Sequence, residues 1–189
     1  MAEKKSSEWM DWIKIIIVAL IIALVVRKFF FSPIIVDGPS MQPTLHDQDK
    51  MIVNKFIYYI KEPERFDIVI FHANEQKDFI KRVIGLPGEH VKVEDNILYI
   101  DGEEIEQSFL KPDEQSEIVY PIFTNDFTLE RLKGNYDVIP DNHVLVLGDN
   151  RNNSTDSRSS ALGLVSMDQI VGKTSFIYWP FDRIHTVKE

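Results

Sequence analysis

Residues 15–26 are an unbroken run of twelve apolar side chains, Ile-Ile-Ile-Val-Ala-Leu-Ile-Ile-Ala-Leu-Val-Val, and no other stretch of the chain limits its fold so strongly. Such a run has no polar face to turn to water, so lipid or protein must cover it on every side. Twelve helical residues rise about 18 Å, short of a hydrocarbon core roughly 30 Å thick, so a spanning helix must cover residues 12–31. Lys14, Arg27 and Lys28 then lie near its ends, where long basic side chains reach the headgroups. Trp9, Trp12, Phe29, Phe30 and Phe31 would form an interfacial aromatic belt. Two rival readings are a cleavable secretory leader and a buried core helix. The first expects a small-x-small site after the run, where Arg-Lys-Phe-Phe-Phe-Ser-Pro stands; the second expects a polar face. A retained transmembrane anchor is therefore expected, with residues 1–11 as a short tail before it. Charge leaves its direction open, since Lys4, Lys5 and Lys14 face Arg27 and Lys28 across the run.

The remainder of the chain, beyond the anchor, is long enough for one compact domain with a small insertion, the whole having 189 residues, 44% of them hydrophobic. A formal charge of -9 and a pI near 5.1, without clustered Lys and Arg, argue against nucleic acid as a partner. The absence of cysteine excludes thiol nucleophiles, disulfide frameworks and thiolate metal sites.

Past Pro33 the pattern changes to short runs rich in Ile, Val, Phe and Tyr, broken by turn residues. Strands are expected at 50–54, 67–71, 78–84, 91–94, 97–100, 143–147 and 170–179. Asp95-Asn96 and Asp101-Gly102 bracket a meander of hairpins, while Leu86-Pro87-Gly88 and Pro140-Asp141-Asn142 stop the strands beside them. Residues 103–136 are acidic and weakly periodic, which suits an inserted flap or small subdomain. The expected fold is mainly β, with residues 32–189 preceded by one N-terminal transmembrane helix.

Three segments carry possible chemistry. In 36–45, Ser40 stands between Pro39 and Pro43 with Gly38 just before it, a stiff backbone that presents a hydroxyl in one direction. A turn serine bonding within its own loop is the alternative. The usual base would be a histidine, but His46, His72, His90, His143 and His185 are scattered, without metal or triad spacing. Lysine is the other base for serine. Strand alternation over 78–84 puts Lys81 on one face with Phe79 and Val83, and burial of that face would lower its pKa; a solvated edge-strand lysine is the alternative. Arg82 points to the opposite face, free to meet a carboxylate. The third segment, 148–158, is a dense polar loop. There Ser154 could bond a neutral lysine amine, and Asp156 could pair with Arg158 or Arg82. A calcium loop is disfavoured there by Arg151 and Arg158 and by the lack of regular Asp-x-Asp spacing.

Four blocks occur in order: Gly-x-Ser-Met-x-Pro-Thr-Leu at 38–45, Asp-Ile-Val-x-Phe at 67–71, Lys-Arg-x-x-Gly-x-Pro-Gly at 81–88 and Gly-Asp-Asn-Arg-x-x-Ser-x-Asp-Ser-Arg at 148–158. Together they resemble the bacterial type I signal peptidases, and the short 103–136 insert and the absence of cysteine fit the smaller Gram-positive members. The resemblance implies Ser40 as nucleophile and Lys81 as general base. It also implies Ser154 as a lysine partner, with Asp156, Arg158 and Arg82 in support. A predominantly antiparallel β catalytic domain on the outer face of the cell membrane, N-terminus in the cytoplasm, is implied as well. Signal peptides of exported preproteins and the phospholipid membrane are the implied partners, with no cofactor or metal. Some members carry a hydroxyl residue where this chain has Gly38, so the oxyanion is expected to rely on the Ser40 N–H, aided by water or the Gly38 backbone. Shallow apolar pockets for small-x-small recognition are expected near Ile34, Ile35, Met41, Phe79 and Ile80.

Two decoys are set aside. Gly172-Lys173-Thr174 resembles the end of a phosphate loop, but Met167 stands where the first glycine belongs; the Asn-x-Ser/Thr matches at 152–155 are short patterns. Two rivals to the signal peptidase reading are a self-cleaving repressor-type serine–lysine peptidase, which would carry a helix-turn-helix where this chain has its apolar run, and a tethered β domain that binds a partner.

Overall fold

The computed structural model describes residues 5–110 and 123–187. The apolar run lies in a single long helix, α1 (Lys5–Phe29). Its Trp9–Phe29 portion, 21 residues with none of them buried against the rest of the protein, rises about 30 Å, the thickness of a bilayer core. Lys14 pairs with Asp11 at 3.0 Å, one turn away, which eases the cost of two charges near the helix end. The chain leaves the helix at Phe29 and at Phe31 enters a strand.

Among the described residues twelve strands follow, with short 3-10 turns between some of them: β1 (Phe31–Ile35), β2 (Lys50–Asn54), β3 (Ile68–Asn74), β4 (Lys77–Gly85), β5 (Val91–Glu94), β6 (Ile97–Ile100), β7 (Glu103–Ile105), β8 (Phe127–Thr128), β9 (His143–Leu147), β10 (Val165–Ser166), β11 (Ile170–Trp179) and β12 (His185–Thr186). The larger sheet runs β1-β2-β11-β3-β4-β9-β10, with β12 beside β11; a second sheet runs β7-β6-β5-β8. Every pairing is antiparallel. All seven expected strands form. Of the additional strands, β7, β8, β10 and β12 are two or three residues long, too short to show a period in the sequence, and β1 carries Pro33 within it.

Turn chemistry accounts for the meander. Asp95 and Asn96 both adopt positive φ, as do Asp101 and Gly102, the backbone that two-residue hairpins with native strand twist require. In the 103–136 segment, β7 and β8 join the sheet of β5 and β6, and residues 111–122 lie outside the described residues.

Three apolar clusters hold the fold. β3 is central and covered on both faces, so Ile68–Phe71 reads as a continuous apolar run rather than an alternating one. On one side Ile68 packs with Val36, Met41, Leu45, Met51 and Ile177; on the other, Val69 and Phe71 pack with Val83, Val144, Val146 and Val165. The third cluster joins the two sheets, through Ile84, Leu145 and Leu147 against Val91, Val93, Leu98 and Ile100. The first cluster positions the segment around Ser40. Met41 and Leu45 belong to the loop after β1, and burying each contributes about 1.5–3 kcal/mol, so that loop is pinned onto the larger sheet.

Candidate active site

Residues 37–45 form a series of turns between β1 and β2. Gly38, at φ +88°, admits the entry bend, a conformation other residues adopt only with strain, and its N–H donates to Asp47 Oδ1 at 2.8 Å. The Gly38 N–H is thus committed, and is not free to serve as the expected oxyanion donor. Ser40, half-buried, sits immediately before the buried Met41.

Lys81 lies mid-strand in β4, opposite Val69. Its side chain is 4% exposed, its Nζ donates to Ser40 Oγ at 2.8 Å and to Ile80 O at 2.8 Å, and the Phe79 ring centroid is 5.2 Å away. Burial lowers its pKa from 10.5 to about 8, against the opposing pull of the Asp156 and Asp149 carboxylates. At pH 7 about a tenth of a lysine with that pKa is neutral, against less than a thousandth of an ordinary one. Serine hydroxyl and lysine amine are thus in contact, and the amine can shed its proton near neutrality.

The 148–158 loop, which leaves β9, braces both. Arg82 and Asp149 form a fully buried ion pair, with Nη2 at 2.7 Å and Nε at 2.9 Å from the carboxylate, while Thr44 Oγ1 donates to the same group at 2.5 Å. Asp149 therefore ties the Ser40 loop to the Lys81 strand. Arg82 also donates to Phe66 O, and the Phe109 ring lies 4.0 Å from its guanidinium. Asp156 is bonded twice by Arg158, at 2.8 Å each, and by the Gly148 N–H at 3.0 Å. Burial would raise its pKa, but the Arg158 bonds and charge hold it below the usual carboxylate value. Of the two pairings left open for Asp156, the structure has Arg158; Arg82 goes to Asp149. Arg151 is buried with Thr124, Gln107 and Gly148 O as partners, and burial lowers its pKa to about 10, leaving it charged at neutral pH.

Ser154 Oγ is buried and has no well-formed hydrogen bond among the described residues, so the expected bond to the Lys81 amine is not made; it lies near enough to Asp156 to help depress that carboxylate. Gly148 must be glycine here. A Cβ would collide with Ser154 Oγ and come within 2.5 Å of Ser40 O, so its absence lets the loop close on the nucleophile segment. Asn150 completes the contact through its backbone N–H to Ser40 O and its amide to Pro39 O.

A groove of about 830 Å³ runs across Ser40 and Lys81. Ile34, Ile35, Met41, Phe79 and Ile80 all line it, as do Gly38 and residues 152–155; Asp156, Arg158 and Arg82 do not line it. None of the five histidines lines the groove. Sequence reasoning missed Asp149, Thr44, Gly148 and Asn150 as individuals. Their one signal was membership of the 38–45 and 148–158 blocks, which does not say which side chain meets which.

Comparison with known proteins bears on this geometry. A model of the family "Signal peptidase, peptidase S26" matches residues 9–179. The chain is 43% identical to signal peptidase I of Bacillus caldolyticus, over 96% of this chain and 94% of that one. Signal peptidase I T of Bacillus subtilis (strain 168) is 40% identical, over 99% and 94% of the respective chains. Signal peptidase IB of Staphylococcus aureus is 41% identical, over 93% and 92%. Among solved structures, a signal peptidase I from Enterococcus faecalis V583 matches at a TM-score of 0.50 and 36% identity, covering 60% of this chain and 97% of that one.

Proposed function

This chain belongs to the signal peptidase family, peptidase S26, and from that premise we propose that it cleaves signal peptides from exported preproteins by a Ser40–Lys81 dyad. The chain is a signal peptidase I and a serine endopeptidase; the dyad, the acyl-enzyme and the cleavage motif are our reading. One observation carries it: Lys81 Nζ, buried and with its pKa lowered to about 8, sits 2.8 Å from Ser40 Oγ in a groove.

In this mechanism the neutral Lys81 amine takes the Ser40 proton as Oγ bonds to the carbonyl carbon after a small residue. The tetrahedral oxyanion accepts from the Ser40 N–H. Lys81, now an ammonium, gives its proton to the departing amine, and the peptide bond breaks to leave an ester on Ser40. Water, deprotonated by Lys81, then attacks the ester and releases the signal peptide with Ser40 restored. Asp149, Arg82, Asp156 and Arg158 hold the two segments in register, and Ile34, Ile35, Met41, Phe79 and Ile80 receive small side chains. The reaction calls on no metal or cofactor.

In the same reading residues 12–31 anchor the chain, residues 1–11 lie in the cytoplasm and residues 32–189 work outside the cell membrane. Exposed aromatic groups near the helix exit support that seating. Phe30 stacks on Phe56 at 5.2 Å, and Tyr59, 75% exposed, lies beside Phe56.

The test is processing of a preprotein bearing an Ala-x-Ala site by wild type, Ser40→Ala and Lys81→Ala in detergent, with folding checked by circular dichroism. Wild type should cut after the final alanine and both folded variants should be inert. Wild-type rates from either variant would remove its assigned role.

A further inference from the structure

One residue holds the carbonyls on both sides of the nucleophile. Asn150 Nδ2 donates to Pro39 O at 3.1 Å, and the Asn150 backbone N–H donates to Ser40 O at 3.0 Å. These carbonyls belong to consecutive peptide groups, so Asn150 orients both planes that meet at the Ser40 α-carbon. The 39–40 bond is trans, and in a trans peptide the C=O and N–H point opposite ways. Drawing Pro39 O toward the Asn150 amide therefore turns the Ser40 N–H to the far side, where it has no acceptor among the described residues. The neighbouring Gly38 N–H is spent on Asp47. Gln42 N–H also donates to Pro39 O, at 3.1 Å, so the plane has a second hold that would survive loss of Asn150.

We propose that Asn150 is a positioning residue for cleavage: its side-chain amide fixes the 39–40 peptide so that the Ser40 N–H is presented, unpaired, to the oxygen on which negative charge develops. This rests on the reading of Ser40 as nucleophile. An oxyanion donor acts only within a narrow range of distance and angle, and one allowed to rotate loses most of its differential hold on the transition state. Because the oxyanion forms after substrate binds, the effect belongs to kcat and not to KM. Because Asn150 does not touch Lys81, the pH at which activity rises should stay in place.

The experiment measures kcat and KM for the full-length protein in detergent on an Ala-x-Ala preprotein from about pH 6 to pH 10, with thermal melting. Wild type, Asn150→Ala, Asn150→Ser and Ser40→Ala are compared. Asn150→Ala should lower kcat about 10- to 100-fold, less than outright loss of a donor because Gln42 remains, with KM within about threefold. Its pH midpoint and melting temperature should match wild type, and Asn150→Ser, which keeps a short donor, should lie between. A kcat within about twofold of wild type, a matching rise in KM or a shifted pH midpoint in the folded variant would each overturn the proposal. Should Asn150→Ala fail to fold, Asn150→Ser is judged by the same criteria. Activity surviving in Ser40→Ala overturns the nucleophile and this inference together; a silent Asn150→Ala beside an inert Ser40→Ala overturns this inference alone.

Discussion

Replacing Lys81 with methionine, a chain of similar length without charge, should alter stability in a way only a desolvated ammonium can produce. Lowering a lysine from 10.5 to about 8 costs about 3 kcal/mol at 1.36 kcal/mol per pKa unit. Below pH 8 the native state carries this whole cost, since Lys81 is protonated and buried. Between pH 8 and 10.5 the unfolded chain binds more protons than the native one, so stability rises with pH; above 10.5 both states are neutral and the cost is gone. The variant lacks this contribution. Wild-type stability minus Lys81→Met stability should therefore increase by about 3 kcal/mol between pH 7 and pH 11. Packing differences and the lost bonds to Ser40 and Ile80 shift the two curves by a constant and leave that change intact. Guanidinium unfolding of the full chain in nonionic detergent, monitored by fluorescence, reads it directly. A difference that is flat, or that falls with pH, would refute the placement of a desolvated lysine beside Ser40.

The same geometry has other consequences. The rate of preprotein cleavage should rise with pH to a midpoint near 8, as Lys81 loses its proton, and single histidine substitutions should leave that midpoint in place in a pH–rate profile. Asp149→Ala should destabilise the protein by about 3–5 kcal/mol, because Arg82 keeps its buried charge without its carboxylate, and pairing it with Arg82→Met should recover most of the loss in the same unfolding assay. Gly38→Ser should cost about 1–2 kcal/mol at φ +88° and give no gain in kcat, measured by melting and by turnover.

Local patterns in the chain are enough for the long apolar helix, the seven expected strands and the hairpin turns at 95–96 and 101–102, because each depends on neighbours within a few residues. The short strands were not legible. A two-residue bridge such as β8 or β10 exists only because a partner strand lies beside it, and carries no period of its own. The site divides in the same way. Ser40 in its proline-flanked loop and Lys81 in its apolar strand could be singled out from type and spacing, and family resemblance joined them. Which carboxylate meets which arginine could not be read, since Asp149 and Asp156 share one polar loop. The pairing of β4 with β9 decides it: Arg82 lies opposite Leu147, which brings Asp149, two residues on, within reach of its guanidinium and leaves Asp156 to Arg158. The sequence by itself determined which chemical groups were available and which local shapes they took. Only tertiary structure, through strand register and the room left at Gly148, decided which groups touch and how dry Lys81 becomes, since contact and desolvation depend on residues far apart in the chain.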